Sequence, residues 1–281
     1  MTKIFLSAFS DEYNSDIDVQ IKMLRENNVG YIEPRFIGSK NIADLTLNEV
    51  KELKTKLGDL KVSSIGSPLG KINLADDFNA HLEKEKRVLE TAAMLGSKYI
   101  RMFSFYLRPE DTLDSARGEV LEKLGQMIEI AKPYEITLCH ENEAKIYGES
   151  PERCLDLIET FGGELGCVFD MGNFVLDGYN PITAYELLKD KIRYFHIKDA
   201  LAEGAVVPPG KGEGRIAEIL GEHKKYSKED FIITLEPHLQ TFDGFNSLTD
   251  STFDNPYKYE TQEAAFTDAL EKINGIINGL S

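Results

Sequence analysis

Apolar residues in this chain fall into two alternating patterns. Short continuous runs occur at Ile4–Phe9, Tyr31–Glu33, Lys61–Ile65, Tyr99–Phe103, Ile136–Glu141, Leu165–Asp170, Ile192–Ile197 and Phe231–Glu236. Runs of this length, bounded by turn residues, read as buried β-strands. Between them apolar residues recur every three or four positions, the period of an amphipathic helix. Ile17, Ile21 and Leu24 mark one such face between Ser15 and Asn28, and positions 47, 50, 53 and 57 mark another over Leu47–Leu57. Further helices are expected over Phe78–Leu95, Thr112–Ala131, Pro151–Phe161, Pro181–Leu188, Ile216–Glu222 and Thr261–Asn278. Ser, Thr, Asp or Pro precedes several of these segments, and Gly58 and Gly96 follow two of them, as helix starts and stops require. Strand and helix thus alternate eight times, the pattern of a parallel α/β sheet. Eight units favour closure into a single (β/α)8 TIM barrel, one domain over residues 1–281. No Gly-x-Gly-x-x-Gly follows the first run, which weighs against an open dinucleotide-binding sheet.

Two stretches interrupt the alternation, Ala200–Gly214 and Leu239–Tyr259. Both follow strands, so both belong to the face of the barrel where active sites are built, and both are expected to be lids or substrate contacts.

Composition narrows the function. A chain of 281 residues with 42% hydrophobic positions has ample material for one core, and Asp plus Glu outnumber Lys plus Arg by 48 to 32. A net charge of −16 repels phosphate backbones and anionic lipid, so neither nucleic acid nor membrane is the expected partner. A local cationic cluster is still able to bind a small phosphorylated molecule. Cys139, Cys154 and Cys167 contain no Cys-x-x-Cys pair and read as core filler. The N-terminus runs directly into a strand without a cleavable signal pattern, and no apolar run nears the roughly 20 residues of a membrane span, so a cytoplasmic location is expected. A homo-oligomer is compatible with all of this.

The candidate chemistry lies at strand ends. Leu138-Cys139-His140-Glu141-Asn142, Val168-Phe169-Asp170, Tyr194-Phe195-His196 and Thr234-Leu235-Glu236 each end an apolar run in a carboxylate or imidazole, roughly 25 to 40 residues apart. In a barrel these ends meet at one mouth, and two Glu, one Asp and one His at a point make a divalent-metal site. Glu143 competes with Glu141, since residues two apart share a strand face. His140 points the other way and reads as a packing group, while His81 and His223 fall on helices and read as surface residues.

These segments resemble the xylose-isomerase-like TIM barrels, a superfamily that includes sugar and sugar-phosphate isomerases, ketose 3-epimerases, inosose dehydratases and, more distantly, endonuclease IV. The resemblance covers nearly the whole chain. It rests on His140-Glu141-Asn142, Phe169-Asp170-Met171-Gly172-Asn173, Phe195-His196-Ile197-Lys198-Asp199, Pro209-Gly210-Lys211-Gly212-Glu213-Gly214 and Leu235-Glu236-Pro237, in that order. It implies Glu141, Asp170, His196 and Glu236 as ligands of one divalent ion (Mn2+, Mg2+, Co2+ or Zn2+). It places Glu141 rather than Glu143 in the set, and it implies that Glu141 and Glu236 are also the acid/base pair. The implied activity is isomerisation or epimerisation of a sugar, sugar phosphate or cyclitol through a metal-stabilised enediolate. A dehydratase of the inosose type on the same site is the alternative. One departure is Asn173, where the 3-epimerases often carry a His that contacts substrate.

Around this set Asn173, Lys198, Arg101, Glu33, Lys211 and His238 are candidates for contacting a small polyhydroxylated substrate. Glu33 with Arg35, two apart on one strand, could instead be an internal ion pair. Phe9, Phe36, Phe103 and Phe105 are candidate pocket walls. An endonuclease would need more His than the five present and a basic groove, and a non-catalytic barrel would have lost a ligand.

Overall fold

In the computed structural model, which describes residues 2–242 and 256–280, the apolar runs become parallel strands around a ring. They are β1 (Ile4–Ala8), β2 (Tyr31–Ile32), β3 (in two pieces, Lys61–Val62 and Ile65–Gly66), β4 (Tyr99–Met102), β5 (Thr137–Glu141), β6 (Leu165–Asp170), β7 (Ile192–Ile197) and β8 (Phe231–Leu235). From β3 through β8 each strand pairs in parallel with the next, and β8 returns to β1, with Ile4 opposite Phe231 and Ala8 opposite Leu235. β2 pairs with Lys61–Val62. The Glu33 amide donates to the Ala8 carbonyl and the Gly66 amide to the Pro34 carbonyl, each at 3.0 Å, and these bonds complete the circuit. The chain is a (β/α)8 barrel.

The apolar pattern predicts β2 to Glu33 and an unbroken β3, whereas β2 ends at Ile32 and β3 is split. Pro34 has no amide to extend β2, and the Ser63 hydroxyl turns to the Ser7 hydroxyl (2.7 Å) and the Ile32 carbonyl (3.2 Å) at the break in β3. Gly66 is required there: a Cβ on it would come within 2.4 Å of the Phe9 ring.

The helices are α1 (Ile17–Glu26), α2 (Leu47–Leu57), α3 (Phe78–Leu95), α4 (Leu113–Ala131), α5 (Pro151–Thr160), α6 (Met171–Leu176), α7 (Pro181–Leu188), α8 (Ile216–Tyr226) and α9 (Gln262–Gly279). Side-chain caps explain their starts: Thr46 and Glu49 form a reciprocal capping box on α2, and Asp77, Ser150 and Thr261 cap α3, α5 and α9. Gly96, with φ of +77°, ends α3. α8 continues to Tyr226, past the expected Glu222. α6 was not anticipated, because six residues are too few to show a period.

His81 and His223 are buried, against expectation. The His81 ring accepts the Gly70 amide at 3.0 Å, and His223 packs edge-on to Phe195 and Phe231 with ring centroids 4.9 and 4.7 Å away. Helical periodicity alone did not separate these inward positions from outward ones. The three cysteines are free and buried. No helix among the described residues is long and apolar enough to cross a membrane. Of the two interrupting stretches, the first begins as an antiparallel hairpin, Asp199–Ala200 against Val206–Val207. The second lies largely outside the described residues.

Candidate metal centre

Each of the last four strands delivers one of the four expected side chains to the mouth. Glu141 closes β5 and Asp170 closes β6, His196 sits one residue before the end of β7, and Glu236 follows β8. All four are buried, and one ligating atom from each lies within 4.8 Å of the others. His196 Nδ1 is 2.8 Å from Glu141 Oε1 and 3.1 Å from Glu236 Oε2. A single Nδ1 proton cannot serve both oxygens, and Glu236 Oε2 is left without a hydrogen bond of good geometry. Glu143 is turned away to Lys71, at 2.8 Å.

A divalent ion fits this cage. Three buried carboxylates and an imidazole share a point, and an orphaned carboxylate oxygen among them costs free energy that a cation would recover. The behaviour of the imidazole agrees. On its far side Nε2 lies 3.3 Å from Glu33, which also accepts from Thr234 (2.8 Å) and Tyr194 (3.1 Å). A carboxylate on the outer nitrogen fixes ring orientation for a ligating Nδ1.

The other oxygens of the two glutamates are held by arginines. Arg101 Nη1 donates to Glu141 Oε2 at 2.9 Å, and Arg35 Nη1 donates to Glu236 Oε1 at 2.9 Å. Arg35 also donates to Asp11 (2.9 Å) and Glu12 (3.0 Å), and its guanidinium lies 4.3 Å from the centre of the Phe9 ring. Both arginines approach Phe9, with Arg101 5.3 Å from the same ring and His196 edge-on at 5.0 Å.

The electrostatics follow from burial and pairing. Burial alone would raise Glu141, but His196 and Arg101 hold its carboxyl at about 2. Glu236 is likewise held well below the usual range, against burial, chiefly by Lys198 and His196. Asp170 goes the other way, to about 7, because burial outweighs Lys198. His196 is raised by Glu141 and Glu33 in spite of burial.

The remaining candidates divide. Lys198 is at the site: Nζ is 3.1 Å from Asp170 Oδ2, 3.7 Å from Glu236 Oε2 and 3.0 Å from Asn173 Oδ1. His238 is adjacent, with Nε2 3.4 Å from Glu12 and from Glu236. Arg101 and Glu33 are in the site but engaged with Glu141 and His196, and Asn173 is engaged with Lys198 and the Asn142 carbonyl (2.8 Å). Lys211 is not brought in; it is exposed, and its charge acts on Asp268 of α9. Glu33 and Arg35 do not pair with each other. Phe103 carries Arg101 and Lys71 on its ring (4.8 and 4.4 Å), whereas Phe105 packs on Phe78 and His81 of α3 and walls no part of the cage. Phe36 is buried, in a short hairpin.

Asp11 and Glu12 carry no role in the sequence pattern, and Arg35 stands there only as an ion-pair partner of Glu33 or a contact for substrate hydroxyls. The signal was present: Ser10-Asp11-Glu12 directly follows the first apolar run, at the same mouth. Asp199 was likewise unassigned. Its carboxylate accepts the amides of Gly210, Gly212 and Gly214 at 2.8–2.9 Å and so ties the glycine-rich loop down.

A family model for the xylose isomerase-like TIM barrel matches residues 21–265. No curated protein matches the sequence. Among solved structures, the chain superposes on the IOLI protein with a binding zinc atom with a TM-score of 0.74 at 19% identity, covering 100% of this chain and 99% of the other. A D-tagatose 3-epimerase-like protein gives 0.72 at 16% identity, covering 99% and 100%. The probable 3-DHS dehydratase AsbF from Bacillus anthracis gives 0.70 at 17% identity, covering 98% and 99%. At these identities the likeness carries the fold.

Proposed function

The chain belongs to the xylose isomerase-like TIM barrel family, and on that premise we propose that it is an enzyme that isomerises or epimerises a small sugar, sugar phosphate or cyclitol with one divalent ion held by Glu141, Asp170, His196 and Glu236. The observation that carries this reading is the convergence of those four buried groups to within 4.8 Å. The similar structures, one with a bound zinc and one an epimerase-like protein, support it. Mn2+, Mg2+, Co2+ and Zn2+ all suit the donor set.

When bound, the ion supplies Lewis acidity, which acidifies the C–H beside a substrate carbonyl. Glu141 and Glu236 then move the proton. β5 and β8 lie three places apart on the ring, so their carboxylates address one carbon from different sides. Each outer oxygen accepts one bond from an arginine and keeps a second lone pair. His196 and Arg101 hold Glu141 ionised, and Lys198 and His196 hold Glu236 ionised, in the form a base needs, at the cost of lower basicity. When Glu236 carries the proton, Asp11 and Glu12 still accept hydrogen bonds from Arg35.

Lys198 favours a second reading, dehydration. Its ammonium, between Asp170 and Glu236, is placed to hand a proton to a departing hydroxyl, and one similar structure is described as a probable dehydratase.

The test is incubation of the metal-loaded protein in D2O with a panel of ketoses, aldoses and inososes, read by NMR and mass spectrometry. Deuterium at the carbon beside the carbonyl supports the proton-transfer reading, and loss of water identifies dehydration. Neither event across the panel, with the metal demonstrably bound, counts against both.

A further inference from the structure

Glu236 faces two acidic cages. Its Oε2 belongs to the cage with Glu141, Asp170 and His196; its Oε1 faces a second group, Glu12 and His238, whose ligating atoms also lie within 4.8 Å of one another and of Glu236. A carboxylate that gives one oxygen to each of two neighbouring cages is the bridging arrangement of two-metal sites, where the ions sit about 3.5–4 Å apart.

The second cage already holds a cation. Arg35 donates Nη1 to Glu236 Oε1 at 2.9 Å, Nη2 to Glu12 Oε1 at 3.0 Å and Nε to Asp11 Oδ2 at 2.9 Å, and Nη1 stands 3.5 Å from His238 Nε2. Its side chain is fully buried. Aromatic rings cover it, Phe9 at 4.3 Å and Phe242 at 4.9 Å from the guanidinium carbon. A guanidinium does not deprotonate in a protein, so this positive charge is permanent. Its planar fork matches the carboxylates around it, and an entering hydrated ion would have to break three charge-assisted hydrogen bonds.

We infer that Arg35 is a built-in substitute for a second metal ion, a positioning residue for Glu236 that limits the barrel mouth to one exchangeable divalent cation. Asp11 and Glu12 fix its orientation by accepting from Nε and Nη2. The inference uses the proposed metal reading for the first cage only.

The experiment is a titration of the purified full chain with Co2+, followed by elemental analysis after gel filtration and by the visible absorption of the bound ion. The wild-type protein is expected to retain one equivalent. Arg35→Ala, which opens the second cage to Glu12, Glu236 and His238, is expected to retain one more than wild type. Adding His238→Ala to that variant is expected to remove the extra equivalent. Arg35→Lys, which keeps the charge, is expected to behave as wild type. Two equivalents in wild type or in Arg35→Lys overturn the inference, as does a folded Arg35→Ala that gains none. If Arg35→Ala does not fold, the wild-type and Arg35→Lys counts still decide it. A wild-type count of zero would sink the metal reading itself, whereas the inference is judged by the difference between variant and wild type.

Discussion

Glu141 and Glu236 are held in matching ways: one oxygen of each faces His196 Nδ1, at 2.8 and 3.1 Å, and the other accepts from a buried arginine at 2.9 Å. The two residues come from strands three places apart on the ring, and both of their arginines approach the Phe9 ring. The arrangement keeps both carboxylates ionised and aims them at one point. Neither outer oxygen is unengaged.

Glu141→Gln and Glu236→Gln are each expected to lower turnover by about 10²–10⁴-fold, the usual contribution of a positioned acid or base. Assays at saturating metal, with the metal content of each variant measured, check this. A metal-loaded variant with wild-type turnover excludes that residue as a proton-transfer group.

Chelation is expected to destabilise the fold as well as stop turnover. Three buried carboxylates lose their cation, and a ligand at 100 times its Kd contributes about 2.7 kcal/mol to folding. Thermal unfolding with EDTA, and with increasing Co2+ or Zn2+, should show a midpoint that rises with metal concentration.

Arg101→Leu is expected to cost about 3–5 kcal/mol, because it leaves Glu141 Oε2 buried without its cationic donor. Chemical denaturation of the metal-loaded protein measures the loss. The double variant Arg101→Leu/Glu141→Gln should recover part of it, and a purely additive result would mean that the pair is not coupled.

Glu85 of α3 gives a pH signature remote from the site. Burial raises its carboxyl from the usual 4.5 to about 8, and neither oxygen has a hydrogen-bond partner. The folded state therefore binds this proton more tightly than the unfolded chain. The associated stability is fully present below about 4.5 and is lost as pH rises through about 8. Glu85→Gln should flatten the dependence across that window, as measured by denaturation at several pH values. An unchanged slope would show that the group is solvated.

Asp199→Ala should loosen residues 208–214 and leave the cage intact, since the three glycine amides lose their shared acceptor. Hydrogen exchange and limited proteolysis within that loop are the readouts, with metal content as the control.

The order and kind of the elements were legible in the sequence because they depend on local period and caps. α2, α3, α7, β6 and β7 begin and end where pattern and punctuation placed them. The four cage residues were also legible, since a polar group ending an apolar run identifies itself within a few residues, and a closed barrel brings such ends together. What the sequence left open depended on contacts between segments far apart in the chain. Whether Arg35 pairs with Glu33 or with Asp11, Glu12 and Glu236 is decided by where Pro34 and Gly66 let β2 and β3 run, not by the spacing of two residues. The choice of Glu141 over Glu143, for which the residues alone gave no basis, is visible in Lys71, 72 positions away, drawing Glu143 aside. His81 and His223 turn inward because Gly70 and the Phe195–Phe231 pair meet them there. Local pattern encodes which side chains point toward the barrel and its mouth; only closure of the ring decides which charge each of them meets.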